Sequence, residues 1–255
     1  MQPVAVWADN YSYVILADSA KKTALVVDPG EGDAVQKKLR SLGCSLDMIL
    51  VTHHHADHVS GIEQLCSERA VEVVTHVSDM GRVPYASVAA NDGQRFTVGS
   101  LSIEVLHVPG HTLGHVAYRI ENRLFTGDTL FLGGCGRLFE GTAEDLHTSL
   151  CSKIRVLPDS LQIFPGHEYT VRTRSFCLSV DSDNALLREK LQEAKSLRAR
   201  NLPTVPGDLL TEKLTNVFLR PDVPEVVASV RRLHPGSPGD PLSIFGQLRA
   251  MMDSY

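Results

Sequence analysis

A chain of 255 residues holds one large domain or a domain with an appendage. With 43% hydrophobic and 22% charged residues it has the composition of an ordinary globular enzyme, and a net charge of -5 gives no global reason to expect nucleic acid or an anionic membrane as partner. The opening Met1-Gln2-Pro3-Val4 has no basic region followed by an apolar core, and no stretch approaches the roughly 20 apolar residues that span a bilayer, so a cytoplasmic protein is expected.

In chain order, strand-like runs fill the first two-thirds: Tyr13 to Ala17, Thr23 to Asp28, Met48 to Thr52, Val71 to Thr75, Leu101 to His107, His115 to Ile120, Leu124 to Gly127 and Leu161 to Phe164. Helical patterns interrupt them near Gly32 to Leu42, Gly61 to Arg69 and Ala143 to Leu157. Some neighbouring strands are close enough for hairpins and others are separated by helices, which predicts mixed sheets with helices outside. After about residue 170 the texture changes. Asp183 to Arg200 sets leucines at 186, 187, 191 and 197 among charges, a surface helix with one apolar stripe that Pro203 and Pro206 end. Glu225 to Leu233 and Leu242 to Met252 are helical and flank a Pro/Gly loop, Pro235 to Pro241. Residues 1–170 read as one domain and 171–255 as a small helical one.

The five cysteines, Cys44, Cys66, Cys135, Cys151 and Cys177, are odd in number, scattered, and contain no C-x-x-C pair. That argues against a disulfide scaffold and for a reducing compartment. Only Cys135, within Gly133-Gly134-Cys135-Gly136, stands where it could line a site.

The chemistry concentrates in Thr52-His53-His54-His55-Ala56-Asp57-His58, directly after the apolar run Met48 to Val51. Extended backbone puts His53 and His55 on one side, while Asp57 and His58 follow after a turn and can face a second point. Imidazole nitrogen and carboxylate oxygen hold zinc, iron or manganese ions. Three weaker motifs also stand at strand exits: Gly110-His111, Gly127-Asp128 and Gly166-His167. Together they offer two three-residue groups and a spare carboxylate. His53, His55 and His111 are assigned to one metal, Asp57, His58 and His167 to the other, and Asp128 to both. His54 between two ligands is expected to point away from the metals. Asp28 and His115 are candidates to hydrogen-bond the ligands and fix their tautomers, against a plain structural role. His76, His107, His147 and His234 read as ordinary residues. No G-x-S-x-G is present.

The H-x-H-x-D-H run with the later Gly-His, Gly-Asp and Gly-His resembles the metallo-β-lactamase superfamily. Gly127-Asp128-Thr129-Leu130-Phe131, Gly134-Cys135-Gly136-Arg137, Phe139-Glu140-Gly141-Thr142-Ala143, Gly166-His167-Glu168-Tyr169-Thr170 and Asn216-Val217-Phe218-Leu219-Arg220 narrow the resemblance to the glyoxalase II, or hydroxyacylglutathione hydrolase, family, nearly end to end. The resemblance implies an α/β fold, a four-layer αβ/βα sandwich with a binuclear site at one edge, followed by a helical substrate-binding domain. It implies two divalent ions per chain, zinc foremost, with Asp57 and Asp128 as the catalytic carboxylates. It also implies a monomer that hydrolyses S-D-lactoylglutathione to D-lactate and glutathione, a metal-held hydroxide attacking the thioester carbonyl. No membrane or nucleic-acid partner is implied.

Similar enzymes carry a Lys or Arg after Gly-Cys-Gly, matched by Arg137, and often a Tyr two positions on, where this chain has Phe139. Tyr169 matches their tyrosine after His-Glu. Of the basic pair that commonly binds the glycine carboxylate of glutathione, Arg249 matches the first member, and the second, usually Lys, falls on Met252. Losing one exposed charge pair costs about 0–1 kcal/mol, less than roughly tenfold in affinity. The Michaelis constant is therefore expected to rise, or another thiol to be preferred. Arg172 and Arg174 read as a solvated helix face. The rival within the superfamily is a glutathione-linked persulfide dioxygenase with a single iron. It needs only a two-His, one-carboxylate set and leaves unexplained why Asp57, His58 and His167 are all present. The lactamases most efficient on lactams usually carry Cys where this chain has Asp128.

Overall fold

The computed structural model describes residues 2–67 and 70–255, which divide into two compact units. The first comprises Met1–His107, Leu113–Gly127 and Phe164–Glu168. Its first sheet takes β1 (Gln2–Val6), β2 (Asn10–Asp18), β3 (Thr23–Val27), β4 (Ser45–Leu50), β5 (Glu72–His76) and β6 (Val88–Ala90) in sequence order. β1 to β3 are hairpin-linked and antiparallel, whereas β3 to β6 run parallel. The switch follows from the connections: α1 (Gly32–Leu42) separates β3 from β4, and α2 (Ala56–Val59) and α3 (Ile62–Cys66) separate β4 from β5. The expected helix Gly61 to Arg69 is α3, and its residues 68 and 69 lie outside the described residues.

The four antiparallel strands of a second sheet in this unit, β7 (Arg95–Val98), β8 (Leu101–His107), β9 (Val116–Ile120) and β10 (Arg123–Gly127), form a meander. Val14, Val26, Ile49 and Val73 of the first sheet bury one face against Val35, Leu39 and Ile62 of the helices. The opposite face meets the second sheet. There Tyr13 packs edge-on against Phe125 at 5.3 Å, and the Tyr118 hydroxyl donates to the carbonyls of Val51 and Val74 at 2.9 and 3.3 Å. This unit is therefore layered helix, sheet, sheet, with β4 at its centre and fully buried toward its exit.

The second unit comprises Val108–Thr112, Asp128–Ile163 and Tyr169–Tyr255. It holds the hairpin β11 (Leu130–Phe131) and β12 (Gly134–Cys135), then α4 (Ala143–His147) and a wide π-helical continuation to Ile154. α4 opens with a capping box, Thr142 accepting from the Asp145 amide. β13 (Gln162–Pro165) pairs its first residues with β14 (Gly207–Asp208). Five helices follow Glu168: α5 (Thr170–Val180), α6 (Ala185–Ala199), α7 (Leu209–Thr215), α8 (Pro224–Leu233) and α9 (Pro241–Asp253). α6 buries Leu187, Leu191 and Ala194, the expected single stripe. α5 was not apparent in the sequence, because its buried residues Thr173, Arg174, Phe176 and Cys177 mix polar and apolar side chains. This corrects the reading of Arg174 as solvated. Its guanidinium is buried and bonded to the Lys190 carbonyl at 2.9 Å and Glu212 at 3.3 Å. Arg172 is exposed, as expected.

Candidate metal centre and substrate pocket

β4 ends at Leu50, and the chain runs through Thr52 and three histidines into α2, where Asp57 and His58 lie. At the end of the parallel neighbour β3, Asp28 adopts a left-handed backbone (φ 49°) and turns its carboxylate under this segment. It is buried and accepts from the Thr52 amide and the Thr52 hydroxyl, both at 2.7 Å, and from His58 Nδ1 at 3.0 Å. The hydroxyl has then spent its one proton, so at 3.1 Å it accepts from Nδ1–H of His53. Both rings are thereby set with Nε2 as the lone-pair atom. His53 Nε2 faces His55 Nδ1 at 3.1 Å. Gly127 (φ 46°) makes room beside them, since a Cβ there would stand 2.4 Å from Thr52 Oγ1.

His167 is set in the same way. Its Nδ1 donates to Asp9 at 2.9 Å, which leaves Nε2 3.3 Å from Asp57 Oδ2. His58 Nε2 lies 3.6 Å from that oxygen, and the ligand atoms of Asp57, His58 and His167 all fall within 4.8 Å of one another. A carboxylate and two imidazole lone pairs converging on one point suit a divalent cation. Asn10 donates to Asp57 Oδ2 at 2.7 Å. Asp9 and Asn10 are functional neighbours that sequence reasoning missed; they enter from the turn between β1 and β2, which carries no recognisable motif. His115 stacks on the His53 ring at 4.7 Å and 20°.

The second unit carries His111 and Asp128. His111 Nδ1 donates to the Arg137 carbonyl at 2.7 Å, leaving Nε2 3.6 Å from Asp128 Oδ2. Both residues are buried on the wall of a cavity that also exposes Phe131, Arg137, Phe139, Tyr169, Arg172, Arg249 and Met252. Thus the four residues expected to contact substrate share one cavity. Arg249 donates to the Cys135 carbonyl at 2.8 Å, lies 5.3 Å from the centre of the Phe218 ring, and pairs with Asp253 at 3.1 Å. Arg137 reaches the same Asp253 oxygen at 3.2 Å.

Cys135 lines this cavity too, but burial pushes its thiol up to about 11 against the pull of Arg249, so it stands protonated and is no nucleophile. The β11–β12 hairpin is held from behind. Glu212 accepts from the Gly133 amide at 2.6 Å and the Asn216 amide group at 3.1 Å, while Asn216 also donates to the carbonyl of Gly134 at 3.1 Å. Burial raises the Glu212 carboxyl above its ordinary range and Arg174 opposes that rise. Only the run Asn216 to Arg220 hinted at this network in the sequence.

A sandwich edge carrying histidines and carboxylates at strand exits defines the class: residues 6–167 match the metallo-beta-lactamase superfamily. Among solved structures, ETHE1 from Myxococcus xanthus superposes with a TM-score of 0.66 at 25% identity, covering 100% of this chain and 99% of that one. A protein crystallised in a di-iron-bound form superposes with a TM-score of 0.57 at 27% identity, over 66% of this chain and 92% of that one. Residues 168–255 match the hydroxyacylglutathione hydrolase C-terminus. The hydroxyacylglutathione hydrolase of Trichormus variabilis is 40% identical over 260 aligned positions, 99% of this chain and 98% of that protein. The chain belongs to the hydroxyacylglutathione hydrolase family. The fold class expected from the motifs is the one found, and the His/Asp groups are suited to holding metal. Among the described residues, no helix is long and apolar enough to cross a membrane.

Proposed function

We propose that the protein is a thioester hydrolase that cleaves S-D-lactoylglutathione and other 2-hydroxyacylglutathiones to the 2-hydroxy acid and glutathione. The observation that carries this reading is the family match over both parts of the chain, residues 6–167 and 168–255, supported by His/Asp groups suited to holding metal. We assign His53, His55 and His111 to one divalent ion and Asp57, His58 and His167 to a second, with Asp128 shared. Zinc comes first among the candidates, and iron and manganese are compatible with the same donors. Bound there, such ions supply Lewis acidity toward a thioester carbonyl and bring the pKa of water down to about 7.

The chain's own residues do the rest. Asp28, Thr52 and Asp9 hold His53, His58 and His167 in the tautomer that presents Nε2, and the Arg137 carbonyl does so for His111. Arg137, Tyr169 and Arg249 bind the glutathionyl part, with Phe139 as an apolar wall. A thiol of ordinary pKa about 8.5 leaves readily as thiolate, so no strong general acid is required. Residues 1–170 serve as the catalytic domain and 171–255 as the substrate-binding one. We place the enzyme in the cytoplasm, a reading its five free cysteines support, and take it to act as a monomer.

The test is hydrolysis of S-D-lactoylglutathione by purified, metal-loaded protein with metal content measured on the same sample. Chelator-sensitive turnover with two ions per chain is expected. A single iron and no thioester hydrolysis would replace this reading with that of a persulfide dioxygenase. Two bound ions without turnover would move the search to esters of other thiols.

A further inference from the structure

His54 is the one residue of the histidine run assigned no ligand role, yet its ring is bracketed on both nitrogens. Its Nδ1 lies 3.1 Å from Asp79 Oδ2, and its Nε2 lies 2.5 Å from Arg82 Nη2. A guanidinium only donates, so Nε2 accepts and Nδ1–H donates to the carboxylate, which fixes a single neutral tautomer. Asp79 is itself rigidly placed. It is 1% exposed, and its carbonyl accepts from the amides of Arg82 and Val83 at 2.8 and 3.0 Å. Its carboxylate lies against Gly114, where an added Cβ would stand 2.5 Å from Asp79 Cγ. The next residue, His115, stacks on His53. Residues 53–55 belong to no strand or helix, so no ladder of backbone bonds sets the direction of the two flanking side chains. The three rings are interdependent through contact: the His54 ring meets the His55 ring edge-on at 5.0 Å and the His53 ring edge-on at 6.5 Å, so clamping it fixes the surface against which both ligands lie.

We propose that Asp79, acting through His54 and backed by Arg82, is a positioning residue for the metal ligands His53 and His55. The inference rests on the metal reading above and adds a device to it: the carboxylate orients two ligands by gripping the residue between them. Supports one step removed from a metal typically change its affinity by about 10–100-fold. That range sets the expectation for Asp79→Ala. Asp79→Asn keeps an oxygen able to accept from Nδ1–H and should restore most of the loss. Arg82→Met removes the exposed half of the bracket together with a guanidinium 3.6 Å from Asp79 Oδ1, and should weaken binding severalfold, less than roughly tenfold.

The experiment is cobalt(II) binding to metal-free wild type and the three variants, by competition with a chromophoric chelator and by the visible ligand-field spectrum, with thermal unfolding of each metal-free protein alongside. The expected result is about 10–100-fold weaker binding of one of two cobalt ions by Asp79→Ala and an altered spectrum, largely rescued in Asp79→Asn. Wild-type affinity and spectrum in Asp79→Ala would overturn the inference. Should that variant unfold, Arg82→Met, at a half-exposed surface position, decides alone, and an unchanged spectrum and affinity there overturn it. Failure of wild type to bind cobalt at all would instead remove the metal reading on which this rests.

Discussion

The two units place their chemistry by different means. In the sheet-rich unit His53, His58 and His167 are fixed through Nδ1 to an acceptor: the Thr52 hydroxyl serves His53, Asp28, buried at 3%, serves Thr52 and His58, and Asp9 serves His167. In the helix-rich unit two cations on the pocket wall, Arg137 and Arg249, share one carboxylate. Asp253 is 41% exposed and pairs with both Arg137 and Arg249. A cage in which each of these imidazoles depends on one acceptor fails as a whole when that acceptor is removed. A wall of shared, partly solvated pairs redistributes its contacts, so losses there are graded.

Asp128 breaks the comparison most sharply, since it belongs to the helix-rich unit but is buried at 6% like His53, His58 and His167 of the cage. Asp128→Ala should lose metal and lower turnover by roughly 10³-fold or more, because several kcal/mol of charge stabilisation disappear together. Metal analysis beside the lactoylglutathione assay checks this. Retained metals with an unchanged rate would sink the shared-ligand assignment.

Arg249 tests the other side. The expectation from sequence was a charge in contact with substrate; the structure adds that it is buried at 5% and bonded to the Cys135 carbonyl and Asp253. Arg249→Ala should therefore raise the Michaelis constant more than it lowers turnover and also cost about 1.5–3 kcal/mol of stability, read by denaturant unfolding. Arg137→Ala, at an exposed position, should raise the Michaelis constant with stability within about 0.5 kcal/mol of wild type. A pure turnover effect in Arg249→Ala would take it off the binding wall.

The difference between the units also explains what could be read in advance. His53, His55, Asp57, His58, His111, Asp128 and His167 stood out because four motifs recur at strand exits and each residue type has few other reasons to be there. Asp9 and Asn10 did not, because a turn residue gives no sign of which distant side chain it meets. β6 and β7 went unnoticed as edge strands of three and four residues with little apolar alternation. α5 lacked a stripe because Thr173 and Arg174 are buried through hydrogen bonds to the Leu132 carbonyl and Glu212. Periodicity registers apolar burial alone, so elements buried by polar satisfaction escape it.

The smallest effect is expected at Phe139, which is 61% exposed and meets the His111 ring edge-on at 5.2 Å. Similar enzymes often carry tyrosine there. Phe139→Tyr adds one hydroxyl at the pocket mouth, where a net hydrogen bond contributes about 0.5–1 kcal/mol, so the Michaelis constant for S-D-lactoylglutathione should fall about two- to fivefold with turnover unchanged. The ring already packs on His111, so a change in turnover would mean that the hydroxyl disturbs that ligand rather than reaching substrate. A Michaelis constant that stays put for the glutathione ester while another thiol ester binds more weakly would mean that phenylalanine is here to suit a less polar thiol. The wall of the helix-rich unit, unlike the histidine cage, would then be where this chain departs from its relatives.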